Sequence, residues 1–271
     1  MIIETSHESP TSILQQSPRW NDYDYALVHL FEEEKEYYAY FRNSVLSGRT
    51  VYLDNSIFEL GESYDEGRYL HWINKLQPTV YIVPDTLENA YDTIDKFRKW
   101  SHRNDREIIT PDYEPIKMGV VQGENWNELV ECYEFMSRNA DMIAISFDYS
   151  YYGVTGLGST QLEQNCSGRQ RFINQLIDEG YWNWSKPHHL LGCSLAKEFR
   201  HYVDRDIWNI RSCDTSNPIV AAIKGLRYRD DLGLTTKPAT LLADLINHEF
   251  NDDEMDLLNY NTRMFKKILK R

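Results

Sequence analysis

Short apolar segments alternate with longer amphipathic segments along most of the chain, and this alternation restricts the fold more than any other feature. The apolar segments have the length of β-strands, and the segments between them have helical periodicity. The predicted strands cover residues 25–31, 50–54, 79–84, 116–122, 142–148, 188–193 and 208–213. Strands and helices that alternate in this way predict a parallel sheet with helices outside it.

Several of the predicted strands end in a polar side chain. These residues are Asp54, Asp85, Gln122, Asp148 and Asp214. Any one of them could simply cap the helix that follows. The carboxyl ends of parallel strands, however, meet at one edge of the sheet, where α/β proteins keep their active sites.

The distribution of these polar strand ends favours a (β/α)8 TIM barrel over an open doubly wound sheet, which would gather them at one switch point. The eighth strand is not placed by the pattern. We expect a loose N-terminal arm over residues 1–20 and a single barrel domain over residues 21–271. Residues 149–167 are rich in Gly, Ser and Tyr and are predicted to be an active-site loop.

Composition narrows the class of protein. The formal net charge of −13 argues against a general nucleic-acid binder but leaves room for a local basic surface. The four cysteines form no C-x-x-C pair, so we expect reduced thiols and no metal site. No apolar run approaches the roughly 20 residues of a membrane span, and residues 1–20 contain no signal-peptide core. The expected location is the cytoplasm, or the host cytoplasm if the source is viral.

No nucleotide-binding or zinc-protease motif is present: GxGxxG, GxxxxGK[ST] and HExxH are all absent. The chemistry therefore has to come from the carboxylates at the strand ends. Two carboxylates can divide the work of glycosyl transfer, one as nucleophile and one as general acid and base. A carbohydrate hydrolase would use the same pair, but it gives no role to the segment Gly-Val-Val-Gln-Gly at 119–123.

Six short segments, in order along residues 50 to 270, are similar to signature segments of the tRNA-guanine transglycosylase superfamily. They are 53–59 (LDNSIFE, like DSGG[FY]Q), 84–86 (PDT), 119–123 (GVVQG, like GIVQG), 188–192 (HHLLG, like HYLMG), 212–215 (SCDT) and 259–265 (NYNTRMF, like HN-x-x-x[FY]). Within the superfamily the chain most resembles the shorter DpdA-like 7-deazaguanine DNA transglycosylases of phages and bacteria.

Two departures accompany this resemblance. Ser56 and Ile57 stand where the family has two glycines, which changes the shape of the base pocket. The family's zinc module is missing, because no cysteine follows Cys213. Since that module builds the tRNA-binding end of the tRNA enzymes, its absence favours DNA as the substrate.

The resemblance implies a pentosyltransferase that exchanges guanine in DNA for a free 7-deazaguanine base such as preQ0, without a cofactor. Asp214 would be the nucleophile that forms a covalent glycosyl intermediate, and Asp54 would be the general acid and base. The implied base-binding residues are Phe58, Asp85, Gln122, Gly123, Ser146, Phe147, Leu191 and Gly192. Phe58 and Leu191 would cover the two faces of a base flipped out of the DNA stack.

Local groups of basic residues are the predicted nucleic-acid contacts. They are Arg169 with Arg171, then Lys224, Arg227 and Arg229, and near the end of the chain Lys266, Lys267, Lys270 and Arg271. Ordinary solvated helix ends would explain each group equally well. The alternatives are exchange on tRNA instead of DNA, and a non-catalytic subunit that binds substrate for another chain. No membrane partner is expected, and a homodimer is considered.

Overall fold

Eight short β-strands run through the chain, with helices between them in the sequence. The computed structural model describes residues 2–107, 113–193, 195–229, 233–236, 238, 240 and 242–270. The strands are β1 (Glu4–Ser6), β2 (Asp24–Leu27), β3 (Val51–Asp54), β4 (Val80–Ile82), β5 (Ile116–Val121), β6 (Met142–Ile145), β7 (His188–Leu190) and β8 (Ile210–Asp214). The sheet has the strand order β1-β8-β7-β6-β5-β4-β3-β2. This is the order of a (β/α)8 TIM barrel, so the predicted fold class is confirmed.

The helices follow the strands in the expected alternation. They are α1 (Leu30–Glu33), α2 (Lys35–Leu46), α3 (Ile57–Leu60), α4 (Glu66–Leu76), α5 (Ala90–Glu107), α6 (Trp126–Asn139), α7 (Ser150–Thr155), α8 (Gln161–Asp178), α9 (Lys197–Asp204), α10 (Asn217–Ile223) and α11 (Asp252–Ile268), with 3-10 helices at Thr11–Arg19 and Ala243–Leu245. Among the described helices, none combines the length and the apolar character that a membrane crossing requires.

The chain divides into two compact units. The first unit comprises residues 2–22 and 146–270 of the described chain, and the second unit is Tyr23–Ile145. In each unit the neighbouring strands are parallel, as for β1 with β8 and for β2 with β3.

In the second unit, polar caps begin the helices and apolar faces fix them to the strands. Asp65 caps α4 by accepting from Arg68 N at 2.8 Å, and Asn125 caps α6 by accepting from Glu128 N at 3.2 Å. Helix α6 also packs closely on β5. At Gly119, a Cβ atom would lie 2.5 Å from Met136 Sδ, so the close approach needs glycine.

The N-terminal segment corrects the prediction of a loose arm. Strand β1 lies beside β8 in parallel register, with Glu4 opposite Ser212 and Ser6 opposite Asp214, and it supplies the eighth strand. The 3-10 helix at Thr11–Arg19 buries Ile13 against Leu258. The three residues of β1, Glu4, Thr5 and Ser6, are all polar, so the sequence shows no apolar segment there.

Residues 149–167 also differ from the predicted loop. They contain α7 and the start of α8, which Thr160 caps by accepting from Glu163 N at 3.2 Å. Gly168 lets the two helices approach, because a Cβ there would lie 2.5 Å from Tyr152 Cβ. Gly156, one of the glycines that suggested a loop, also allows a close approach, because a Cβ there would lie 1.9 Å from the Gln164 backbone oxygen on α8.

The bounds of some strands and helices differ from the prediction. The first predicted strand, 25–31, stops at Leu27, and α1 begins at Leu30. Trp208, predicted inside a buried strand, lies before β8 and is 48% exposed. Between α10 and α11 a 3-10 helix forms at Ala243–Leu245, and residues 239 and 241 lie outside the described residues.

Candidate active site

Asp214 lies at the carboxyl end of β8 in the first unit and is only 5% exposed. Its Oδ1 atom is 2.9 Å from His189 Nε2 and accepts the backbone N–H of Gly192 at 3.2 Å. His189 Nδ1 lies 2.8 Å from Ser212 Oγ, so an ionised Asp214 selects the tautomer with hydrogen on Nε2 and an acceptor at Nδ1. Within the described residues, Oδ2 of Asp214 accepts no hydrogen bond. Among the described residues, that oxygen remains open to a further contact.

The turn after β7 holds the second donor to Asp214. Gly192 has a φ of 64°, in the left-handed region that favours glycine. A Cβ atom at Gly192 would lie 2.4 Å from Cδ1 of the Phe147 ring. The sequence therefore needs glycine here, both for the backbone conformation and for the contact with Phe147.

Arg169 holds the same turn through hydrogen bonds to its backbone. This position corrects the prediction that Arg169 is a nucleic-acid contact. Its side chain is 0% exposed and donates to the carbonyls of Leu191 at 2.9 Å and Gly192 at 3.1 Å. Its Nε atom pairs with Glu198 Oε1 at 2.6 Å, and Tyr202 also donates to that oxygen at 2.6 Å. A guanidinium buried in this network cannot form an exposed nucleic-acid contact. Arg169 is a positioning residue for the turn.

In the second unit, Asp85 is the centre of a buried group of amides. Its Oδ1 accepts from Asn55 Nδ2 and its Oδ2 accepts from Gln122 Nε2, both at 2.7 Å. Gln122 Oε1 accepts from Glu88 N at 2.9 Å, which fixes the orientation of the amide. Burial raises the pKa of Asp85, against the opposing effect of the hydrogen bonds from Gln122 and Asn55. The structure thus brings together two of the residues predicted to bind the base.

Asp54 ends β3 next to this group and is half-buried. It accepts from the Tyr25 hydroxyl and from the backbone N–H of Ser56. Ser56 has a φ of 60°, so it adopts the left-handed conformation at a position where the resembling family has glycine. The backbone of this segment therefore has the form that a glycine would favour, although the side chain is serine.

The remaining predicted base-binding residues lie at strand ends or on nearby helices. Phe58 is on α3 and is 46% exposed. Gly123 follows β5, where a Cβ would lie 2.9 Å from Leu129 N. Ser146 follows β6 and its Oγ donates to Asp148 Oδ1 at 2.9 Å.

The predicted basic contacts other than Arg169 are at the surface. Arg171 is exposed and donates to Thr155 O at 3.2 Å. Lys224, Arg227 and Arg229 are exposed after α10, and Arg227 lies over the Tyr260 ring at 3.6 Å. Arg271 lies outside the described residues.

Sequence reasoning missed several residues that organise these groups: His189 and Glu198 in the first unit, and Asn55 and Tyr25 in the second. His189 could have been noticed, because it lies in β7, within the HHLLG segment at 188–192. Glu198 gives no such signal, since its partner Arg169 is 29 residues away.

The structure adds little support for metal chemistry at these groups. Among the described residues, no cluster of three or more His, Cys, Asp or Glu side chains is placed to hold a metal ion. The four cysteines form no disulfide bond among the described residues, and all four are buried.

The fold and the strand-end carboxylates define the chain as a (β/α)8 protein. Its sequence matches no protein-family model and no curated protein. Among solved structures it is similar to protein CitE from Mycobacterium tuberculosis, in complex with magnesium and acetate (10% identity, 79% of this chain, 86% of that chain, TM-score 0.43). It is also similar to a mutant methylaspartate ammonia lyase from Clostridium tetanomorphum (11% identity, 84% of this chain, 48% of that chain, TM-score 0.36).

Proposed function

We propose that the protein is a transglycosylase that exchanges guanine in DNA for a 7-deazaguanine base through a covalent intermediate on Asp214. The observation that carries the proposal is the asymmetry of the Asp214 carboxylate. One oxygen is held by His189 Nε2 and Gly192 N, and the other accepts no hydrogen bond from the described residues. A carboxylate held on one side and open on the other is suited to attack a sugar carbon.

The reaction has two balanced steps. In the first, Asp214 Oδ2 attacks C1′ of a flipped guanine nucleotide, the C1′–N9 bond breaks with its electron pair moving to guanine, and an ester to C1′ forms. In the second, the N9 atom of a 7-deazaguanine attacks C1′ and the ester bond breaks. The carboxylate of Asp214 is regenerated, so no external oxidant or metal is required.

Asp54 is the proposed proton carrier in these steps. It would protonate the departing guanine and then remove the N9 proton of the entering base. Its hydrogen bonds from Tyr25 and Ser56 N hold the carboxyl group in one orientation. A positioned acid and base of this kind typically contributes about 10²–10⁴-fold to a rate.

Asp85 and Gln122 are the proposed contacts to the edge of the base. Each retains hydrogen-bonding capacity beyond the bonds described above: a second N–H on the Gln122 amide and further lone pairs on the Asp85 oxygens. A purine edge offers both donors and acceptors to match them. The order of the six similar segments and the left-handed Ser56 support the same assignment.

The proposal is tested by incubating the protein with guanine-containing DNA, or with tRNA, and a radiolabelled 7-deazaguanine. We expect label in DNA with the natural protein and none with Asp214→Ala. Asp214→Asn should fold normally but trap no covalent adduct on denaturing gels. The matched control is Asp178→Asn, which removes an exposed carboxylate at the end of α8 and should exchange normally.

Each outcome decides a different part of the proposal. Label in tRNA alone would show that tRNA, and not DNA, is the substrate. Label in neither polymer, with a protein that unfolds cooperatively, would contradict the exchange reaction and favour a non-catalytic substrate-binding subunit. Exchange that survives Asp214→Ala would remove this residue from the mechanism.

A further inference from the structure

A groove on the first unit gathers positive charge on an otherwise acidic protein. Its volume is about 780 Å³, and its lining residues are Arg19, Trp20, Arg200, Asn259, Thr262, Arg263, Met264, Lys266, Lys267 and Lys270. Six of these side chains are cationic and none of these described lining residues is acidic. In the whole chain Asp and Glu outnumber Lys and Arg by 42 to 29, so this composition is the reverse of the average surface. We refer to it as the basic groove.

The positive charge of the basic groove is largely uncompensated. Lys266 pairs with Asp22 at 2.7 Å, and Arg200 pairs with Asp204 at 3.0 Å. Arg263, Lys267 and Lys270 are exposed, and none of the three forms an ion pair with another described residue. Gathering like charges without counter-charges costs electrostatic free energy, which a bound anion would recover.

Cations from several parts of the first unit meet in the basic groove. Arg263 and Lys267 are spaced at i and i+4, so they share one face of α11. Lys270, just beyond the end of α11, lines the same groove together with Arg19 and Arg200. Several cations in one concavity fit a polyanion better than a single phosphate group.

The basic groove is separate from the candidate active site. Lys270 forms a β-bridge with Ile2, just before β1, whereas the other end of β1 places Ser6 beside Asp214. Four residues of extended chain separate Ile2 from Ser6, which corresponds to about 13 Å. The basic groove therefore lies at the amino end of β1 and Asp214 at the carboxyl end.

We propose that the basic groove binds the phosphodiester backbone of a single nucleic-acid strand, by charge and without reading its bases. A concave surface lined with cations follows a strand of phosphates, whereas a flat membrane surface would need a convex or flat basic face. Trp20 and Met264, both buried, line the groove among the cations and give it an apolar component. This binding does not require the exchange reaction, so it goes beyond the proposed function.

The test is fluorescence anisotropy of a labelled single-stranded DNA of mixed sequence, measured at several salt concentrations. The test variant is Lys267→Glu with Lys270→Glu. The matched control is Lys35→Glu with Lys99→Glu, which makes the same charge change at two exposed lysines of the second unit. Removing two phosphate contacts should lower the slope of log K against log salt by about 1.4 and weaken binding at low salt by about tenfold or more. The control should change binding by less than about a third of that effect on the same logarithmic scale.

Three further arms keep the outcome decisive. Lys267→Gln with Lys270→Gln should give the same loss of slope without reversing the charge, in case the reversed variant fails to fold. Single-stranded RNA should compete as well as DNA, and vesicles of phosphatidylserine should not compete. Equal losses in the test and control variants, or competition by the vesicles in place of RNA, would overturn the proposal. The anisotropy assay contains no 7-deazaguanine and measures no exchange, so a failure of exchange and a failure of the basic groove are distinguishable.

Discussion

In each unit, a residue with a positive φ donates its backbone N–H to a carboxylate at a strand end, but only one of these two positions requires glycine. In the second unit the N–H of Ser56, with a φ of 60°, donates to Asp54. In the first unit the N–H of Gly192, with a φ of 64°, donates to Asp214. A left-handed residue after a strand turns its N–H toward the carboxylate in both cases. The difference lies in the space at Cβ, which the Phe147 ring fills beside Gly192.

The two units also differ in how their buried carboxylates are hydrogen-bonded. Asp85 in the second unit has both oxygens hydrogen-bonded, to Asn55 and to Gln122. Asp214 in the first unit has both of its described contacts on Oδ1. A carboxylate held on both oxygens suits a group that recognises or orients, whereas one open oxygen suits a group that reacts. This contrast supports the proposed attack by Asp214 and the proposed base binding by Asp85.

The first prediction concerns Arg169, whose hydrogen bonds hold the turn at Gly192 in the first unit. We expect Arg169→Met to lower the free energy of unfolding by about 3–5 kcal/mol, because it leaves Glu198 buried without its partner. Urea unfolding measures this change. In the second unit, Lys99→Met removes an exposed pair with Asp95 and should lower the free energy of unfolding far less, because solvent screens the pair.

A second variant separates charge from packing in this network. Adding Glu198→Leu to Arg169→Met removes both buried charges and should recover a large part of the lost stability. It should not recover the hydrogen bonds to the carbonyls of Leu191 and Gly192. Equal stability losses for Arg169→Met and Lys99→Met would contradict the assignment of Arg169 as a positioning residue.

The second prediction concerns acid stability of the first unit, where His7 is buried beside Thr215. Burial lowers the pKa of His7 to about 4 from 6.5, and its Nδ1 lies 3.1 Å from the Thr215 carbonyl. The unfolded chain then binds a proton more readily than the folded one. Stability is full above pH 6.5 and is lost as the pH falls toward about 4, by about 3 kcal/mol in total.

The measurement is the free energy of unfolding against pH for the natural protein and for His7→Gln. The variant should reduce the slope between pH 6.5 and 4 by up to about 1.4 kcal/mol per pH unit. Asp85 in the second unit contributes with the opposite sign, because its raised folded pKa makes stability fall as the pH rises from 3.8. Identical slopes for the two proteins would show that His7 does not titrate differently on unfolding.

The fold class could be predicted from the sequence because the strands and helices each carry a periodicity long enough to detect. Strands β3 and β5 were placed within one residue at each end. Strand β1 could not be found, since its three residues are all polar and its pairing with β8 is long-range. The helices in residues 149–167 were hidden by glycine, whose role in helix packing is visible only in three dimensions.

The candidate site shows the same division. The sequence correctly predicted polar side chains at the ends of strands, as at Asp54 and Asp214. Their partners depend on register: His189 reaches Asp214 across 25 residues, next to an irregularity in the pairing of β7 with β8. The sequence also shows charge but not burial, which is why Arg169 was expected at the surface. The catalytic and base-binding roles themselves stay predictions.

The smallest expected effect is at Ser56, and it sharpens the comparison between the two left-handed residues. Ser56→Gly relieves about 1 kcal/mol of backbone strain but adds a similar entropy to the unfolded chain. The two terms oppose each other, so the net change is set by the loss of the long hydrogen bond from His29 N to Ser56 Oγ, at 3.4 Å, and we expect it to be less than about 1 kcal/mol. Urea unfolding with three or more repeats resolves a change of this size.

The opposite substitution at the matching position should not be neutral. Gly192→Ala adds the left-handed strain and also a Cβ atom 2.4 Å from Cδ1 of Phe147, so we expect a loss of about 2 kcal/mol or more. The Phe147→Leu variant tests the cause, because a smaller neighbour should reduce the cost of Gly192→Ala in the double variant. A loss at Ser56→Gly as large as that at Gly192→Ala would mean that the serine side chain, rather than the backbone conformation, holds the turn beside Asp54.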